Sequence, residues 1–197
     1  MVLSNNLSIL KTIKMRIDHI AYRVKDRHEA AKFFINCFGY RIPADLPDGF
    51  QIEFEDKSVA DCLVLLPSEQ ITGCMPWMTE LYFAGEFSSY HMAPEIFLSD
   101  GTDDSIVGKW VSERNNIGGI HHIAYHVDDV EKTMRKWQHK GFAEFASENP
   151  LSCPGLVQVF TKPSAITGII YEFISREDQG FCKDNVKMLM ESTRGFS

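Results

Sequence analysis

Two stretches of the chain carry the same alternation of apolar and polar positions. RIDHIAYRVKD, residues 16–26, and GIHHIAYHVDD, residues 119–129, repeat Ile, His, Ile, Ala, Tyr, Val and Asp in register. His19 falls on His122 at an offset of 103 residues (122 − 19 = 103). Period-two alternation predicts a half-buried strand in each copy. Ile17, His19, Ala21 and Arg23 share one face of the first strand, and Ile120, His122, Ala124 and His126 share the matching face of the second. The other faces, Ile20, Tyr22, Val24 and Ile123, Tyr125, Val127, are apolar enough to pack under helices.

A helical pattern follows each copy. RHEAAKFFINCFGY predicts a stripe of Ala30, Phe33, Phe34, Cys37 and Phe38, and VEKTMRKWQHKGF one of Val130, Met134 and Trp137. Gly39 and Gly141 stand where a left-handed residue ends a helix. Short β-branched and aromatic runs come next: FQIEFED, DCLVLLP and EIFL, then LVQVFTK and GIIYEFI. Each half therefore reads as strand, helix, then two or three strands.

The fold expected is α+β, with two tandem βαβββ modules pairing to form a curved sheet around a cleft that binds metal. Residues 1–14 read as a loose leader and 15–103 as the first module, with a long insertion at 68–94. Residues 104–118 read as a linker containing a short helix capped by Asp104 or Ser105. Residues 119–197 form the second module with a C-terminal helix.

Composition narrows the function. A net charge of −7 without a long basic run argues against nucleic-acid binding. No apolar run reaches the roughly 20 residues that span a membrane. Cys37, Cys62, Cys74, Cys153 and Cys182 are scattered and odd in number, which argues for a reducing cytoplasm over a disulfide framework.

The candidate chemistry lies on the strands. Glu172 sits between Tyr171 and Phe173 in an apolar run, where a carboxylate is costly unless paired or ligated. Glu95 has a similar place in PEIFL. Two strand-borne histidines and one or two glutamates can converge on one divalent metal. Such a set with open positions suits Fe(II), and equally Co(II), Ni(II), Mn(II) or Zn(II).

These residues resemble the vicinal oxygen chelate superfamily, which includes glyoxalase I, methylmalonyl-CoA epimerase, extradiol dioxygenases and 4-hydroxyphenylpyruvate dioxygenase. The resemblance runs from about residue 15 to 196 and implies His19, His122 and Glu172 as metal ligands. The tail GLVQVFTKPSAITGIIYEFISREDQGFCKDNVKMLMES resembles the C-terminal domain of 4-hydroxyphenylpyruvate dioxygenase. That match implies that Gln158 and Phe160 face substrate and that Phe181, sitting on the closing helix, covers the site. The implied activity is Fe(II)-dependent oxygenation of a small 2-oxo acid.

The middle, DSIVGKWVSERNNIGGIHHIAYHVDDVEKTM, is instead similar to methylmalonyl-CoA epimerase and implies Glu95 as a fourth ligand. The alternative activity is epimerase, isomerase or lyase chemistry, with Glu53, Glu55 or Glu95 as candidate base. A second alternative is a non-catalytic small-molecule binding protein. The partner expected is a small oxo acid, and the chain could associate as a homodimer.

Overall fold

The computed structural model describes residues 15–67, 93–176 and 180–195. The leader and most of the 68–94 insertion lie outside the described residues. The first half runs β1 (Arg16–Val24), α1 (Arg27–Phe38), β2 (Phe50–Glu53), β3 (Val59–Leu65) and β4 (Glu95–Gly101). α2 (Ile106–Ser112) links it to β5 (Gly118–His126), α3 (Val130–His139), β6 (Leu151–Cys153), β7 (Leu156–Phe160) and β8 (Ile170–Arg176). α4 (Lys183–Ser192) follows the last strand.

The eight strands form one curled sheet in the order β2-β3-β4-β1-β5-β8-β7-β6. At its centre the two copies of the repeated phrase meet antiparallel, β1 on β5. Each is flanked on its other side by a parallel strand, β4 beside β1 and β8 beside β5. The two βαβββ modules are thus related by an approximate two-fold at the β1–β5 seam.

Local chemistry explains the helices. Asp26 caps α1 by accepting from the backbone N–H of His28 and Glu29, and Asp129 caps α3 by accepting from Lys132. Gly39 ends α1 at φ 71°, the left-handed conformation that glycine adopts at least cost. Of the two candidate caps in the linker, Ser105 takes the role, accepting from Gly108 N–H.

α3 buries Val130 and Met134 against Val159 and Phe173 on the outer face of the second module, as its spacing predicts. The stripe read for α1 needs correction. Ala31, Phe34 and Ile35 face Leu63, Leu65, Ile96 and Leu98, whereas Phe33, Cys37 and Phe38 are exposed. The run of aromatics is wider than one helical face, so apolar spacing alone does not set its rotation. α2 and α4 instead cover the inner face of the first module, where Val107, Trp110, Val186 and Met190 pack with Phe54, Cys62 and Phe97.

Candidate metal centre

Strict alternation breaks on either side of the β1–β5 seam. The pairing register skips Asp18 between Ile17 and His19, and skips His121 between Ile120 and His122. Such β-bulges let two consecutive side chains turn the same way. Asp18 and His19 are both buried, and so are His121 and His122. The two bulges obey the same 103-residue offset (121 − 18 = 103).

The register then brings three donors together. His19 lies on β1, His122 on β5 and Glu172 on β8, opposite Ala124. His19 Nε2 is 3.2 Å from His122 Nε2 and 3.2 Å from Glu172 Oε2, and His122 Nε2 is 3.1 Å from the same oxygen. Metal bonds of about 2.1 Å at right angles place neighbouring ligand atoms about 3.0 Å apart. The triangle therefore fits one face of an octahedral ion and leaves the opposite face to a ligand.

The surrounding bonds fix which atoms are lone pairs. Asp18 Oδ1 accepts from His19 Nδ1 at 2.8 Å, which leaves Nε2 as the inward acceptor. His122 Nδ1 is 2.9 Å from His121 Nδ1. For Nε2 of His122 to serve as an acceptor, its Nδ1 carries the proton and donates to His121. Three acceptor atoms so close repel one another unless they share a positive charge. The donor set thus fits a divalent cation, or a proton in its place.

Titration follows from this crowding. Burial opposes the charge on His19, but Glu172 and Asp18 outweigh it and raise the pKa to about 9. Burial lowers His122, and Glu172 offsets it only in part. Glu172 stays below the usual carboxylate range, because His19 and His122 outweigh its burial.

Glu95 does not join the triangle. Its Cα pairs with that of His19, yet its Oε2 lies 2.8 Å from Arg176 Nη2. Arg176 also contacts Asp18 twice, Nη2 to Oδ1 at 2.9 Å and Nε to Oδ2 at 3.2 Å. Its guanidinium stands 4.9 Å from the centre of the Phe181 ring.

The triangle opens into a cavity also lined by Arg23, Phe97, His121, Gln158, Phe160 and Phe181. Phe160 lies 4.6 Å from the His122 ring and Phe181 5.0 Å from the His19 ring. Val186, Leu189 and Met190 of α4 also line the cavity, whose free volume is about 30 Å³. That is room for one or two waters. Gln158, Phe160 and Phe181, singled out from the tail, thus reach one cavity with the triangle. Glu53 and Glu55 are exposed and do not line it, and Glu53 pairs with Lys57 at 3.1 Å. His126 does not line it either. Sequence reasoning missed the inward turn of Asp18 and His121, for which a repeated polar residue just before each histidine was the available signal.

Residues 18–151 match the sequence pattern of the glyoxalase/bleomycin resistance protein/dioxygenase superfamily. The chain belongs to that superfamily. This superfamily member is 22% identical over 157 residues to human mitochondrial methylmalonyl-CoA epimerase, covering 80% of this chain and 72% of that one. It is 25% identical over 160 residues to an ethylmalonyl-CoA/methylmalonyl-CoA epimerase of Cereibacter sphaeroides, covering 80% and 95%. Among solved structures it superposes on a 4-hydroxymandelate synthase mutant from Streptomyces coelicolor with a TM-score of 0.67 at 18% identity. That alignment covers 91% of this chain and 53% of the synthase, so the chain spans about half the synthase's length. A methylmalonyl-CoA epimerase structure gives a TM-score of 0.56 at 21% identity, covering 82% and 95%. At these identities the structural likenesses speak to the fold. No helix among the described residues is long and apolar enough to cross a membrane.

Proposed function

We propose that this protein is a metal-dependent enzyme acting on a small 2-oxo acid, of the Fe(II) oxygenase type. The observation that carries this reading is the arrangement around Glu95. Arg176 draws its carboxylate aside, so His19, His122 and Glu172 stand as a three-ligand facial set. Three ligands leave room for a bidentate oxo acid and a further small molecule, whereas a fourth protein ligand would take one of those places. A bound Fe(II) would supply Lewis acidity and access to O₂ chemistry there.

The chain's own groups define the remainder. Asp18 orients His19, and His121 orients His122. Gln158, 1% exposed, has no hydrogen-bond partner for its Nε2 among the described residues and offers it to a ligand oxygen. Phe97, Phe160 and Phe181 make an apolar wall beside the triangle.

The second reading is an epimerase, favoured by the names of the two sequence relatives. Proton abstraction next to a carbonyl requires a base. Among the described residues lining the cavity, Glu172 is the sole carboxylate, and it belongs to the triangle. That weighs toward the oxygenase.

The test is anaerobic titration of Fe(II)-loaded protein with 2-oxo acids, 4-hydroxyphenylpyruvate among them. A visible charge-transfer band that O₂ bleaches supports the reading. Stoichiometric Co(II), Ni(II) or Zn(II) with no such band for any oxo acid transfers support to the epimerase. Metal content unchanged in both His19→Ala and His122→Ala refutes the centre itself.

A further inference from the structure

The far end of the cavity is marked by Arg23. It lies four residues after His19 on the same face of β1 and is 2% exposed. Among the described residues its guanidinium donates one hydrogen bond, from Nη2 to Thr193 Oγ1 at 3.3 Å, and no carboxylate pairs with it. Its other close company is cationic and aromatic. The guanidinium stands 5.7 Å from the Trp110 ring centre, and Arg114 stacks on that same ring at 3.7 Å.

Two other partly buried arginines do meet carboxylates. Arg176 holds both Asp18 and Glu95, and Arg27 holds Asp61 and Asp100. A buried guanidinium without a counter-charge is costly. Burial, with Arg114 adding to it, lowers the Arg23 pKa to about 9.

The same cavity carries further unmet donors. Among the described residues, Gln158 Nε2 and His121 Nε2 have no hydrogen-bond partner. With His122 donating to His121 Nδ1, the His121 proton resides on Nε2, so both atoms are N–H groups seeking an acceptor. The cavity's sole carboxylate among the described residues, Glu172, is committed to the triangle. Buried polar groups are ordinarily satisfied, and a donor-rich, acid-poor enclosure is satisfied by an anionic ligand. A second cavity, of about 320 Å³, also reaches Arg23 and is lined by Lys109 and Arg194 together with one carboxylate, Glu113, so its charged lining is net positive. Those cations favour the approach of an anion.

We infer that Arg23 receives a second anionic group of the substrate, so that the site takes a short dicarboxylate. Its 2-oxo acid end meets His19, His122 and Glu172, and its distal carboxylate meets Arg23. This rests on the oxo-acid reading given above. The planar fork of a guanidinium matches two carboxylate oxygens.

The test compares 2-oxoglutarate with 2-oxopentanoate, which carries methyl in place of the distal carboxylate. Both are titrated calorimetrically into Co(II)-loaded protein. The diacid is expected to bind roughly tenfold tighter, as a buried charge-assisted pair allows. Arg23→Gln should bring the ratio to near one, with the monoacid constant unchanged. Arg23→Lys, which keeps charge but loses the fork, should retain a ratio of about threefold. A ratio near one in the native protein, or one that survives Arg23→Gln, overturns the inference. Where Arg23→Gln does not fold, an undiminished ratio in Arg23→Lys overturns it. Failure of the underlying metal reading shows separately, as no stoichiometric uptake of Co(II). The two acids are then titrated into the metal-free protein. There, an Arg23-dependent preference for the diacid sustains the receptor, and equal or absent binding overturns it.

Discussion

Arg176 Nη2 lies 2.8 Å from Glu95 Oε2, and through that contact β8 holds β4's carboxylate away from the triangle that β8 itself completes with Glu172. Removing the guanidinium frees Glu95 one strand away from His19. Arg176→Gln is expected to let Glu95 enter as a fourth ligand. Zn(II) affinity should then rise and oxo-acid binding to the Fe(II) form fall by roughly tenfold, since one chelating position is lost. Competitive metal titration checks the first change and the visible band checks the second. Unchanged values for both would show that Arg176 does not govern Glu95.

Asp18 links the site to acid stability. Burial opposes its charge, but His19 and Arg176 outweigh that and lower its pKa from 3.8 to about 2. A folded-state value below the unfolded one means that its contribution is present above pH 3.8 and lost as pH falls through about 2. The contribution is on the order of 2 kcal/mol. Urea unfolding of metal-free protein at pH 4 and pH 2 should show a smaller drop in Asp18→Asn than in the native chain.

With His122 Nε2 as a metal ligand, His121 Nδ1 is the acceptor for His122 Nδ1–H, the two atoms standing 2.9 Å apart. His121→Phe keeps a ring but removes the acceptor, and metal affinity should fall by about 10- to 100-fold. His121→Gln, whose side-chain oxygen can accept, should recover most of it. Equal losses in the two variants would indicate a packing role.

Phe181 packs 5.0 Å from both His19 and Phe97. Phe181→Ala should leave metal content intact while ligand release speeds by roughly tenfold, as an aromatic wall contact is lost. Stopped-flow mixing with a 2-oxo acid reads this directly. Loss of the metal together with the ring would mean that Phe181 supports His19.

Much of this architecture is legible in the chain. The doubled phrase gives the central strands, and Glu172 stands out because nothing apolar around it can satisfy a carboxylate. Gly39 announces the end of α1. Other features depend on distances along the sequence that no local pattern reports. β6 is three residues long, too short for alternation to register. The bulges at Asp18 and His121 arise from how β1 and β5 align, so period-two reasoning turns both residues outward. Arg176 meets Glu95 across 81 positions (176 − 95 = 81), and that tertiary pairing is what removes Glu95 from the triangle. The exposure of Phe33 and Phe38 shows the same limit, since helix rotation is set by the sheet beneath.

The β1–β5 seam also has a kinetic consequence. His19 and His122 are 103 residues apart, and Glu172 lies another 50 beyond (172 − 122 = 50). Neither half can offer all three atoms alone, so no partly folded chain lacking the seam has a site for the ion. Long-range pairings of this kind form slowly, after their loops have closed. Uptake of a coloured ion such as Co(II) during refolding would therefore time the joining of the two halves, lagging behind helix formation within each.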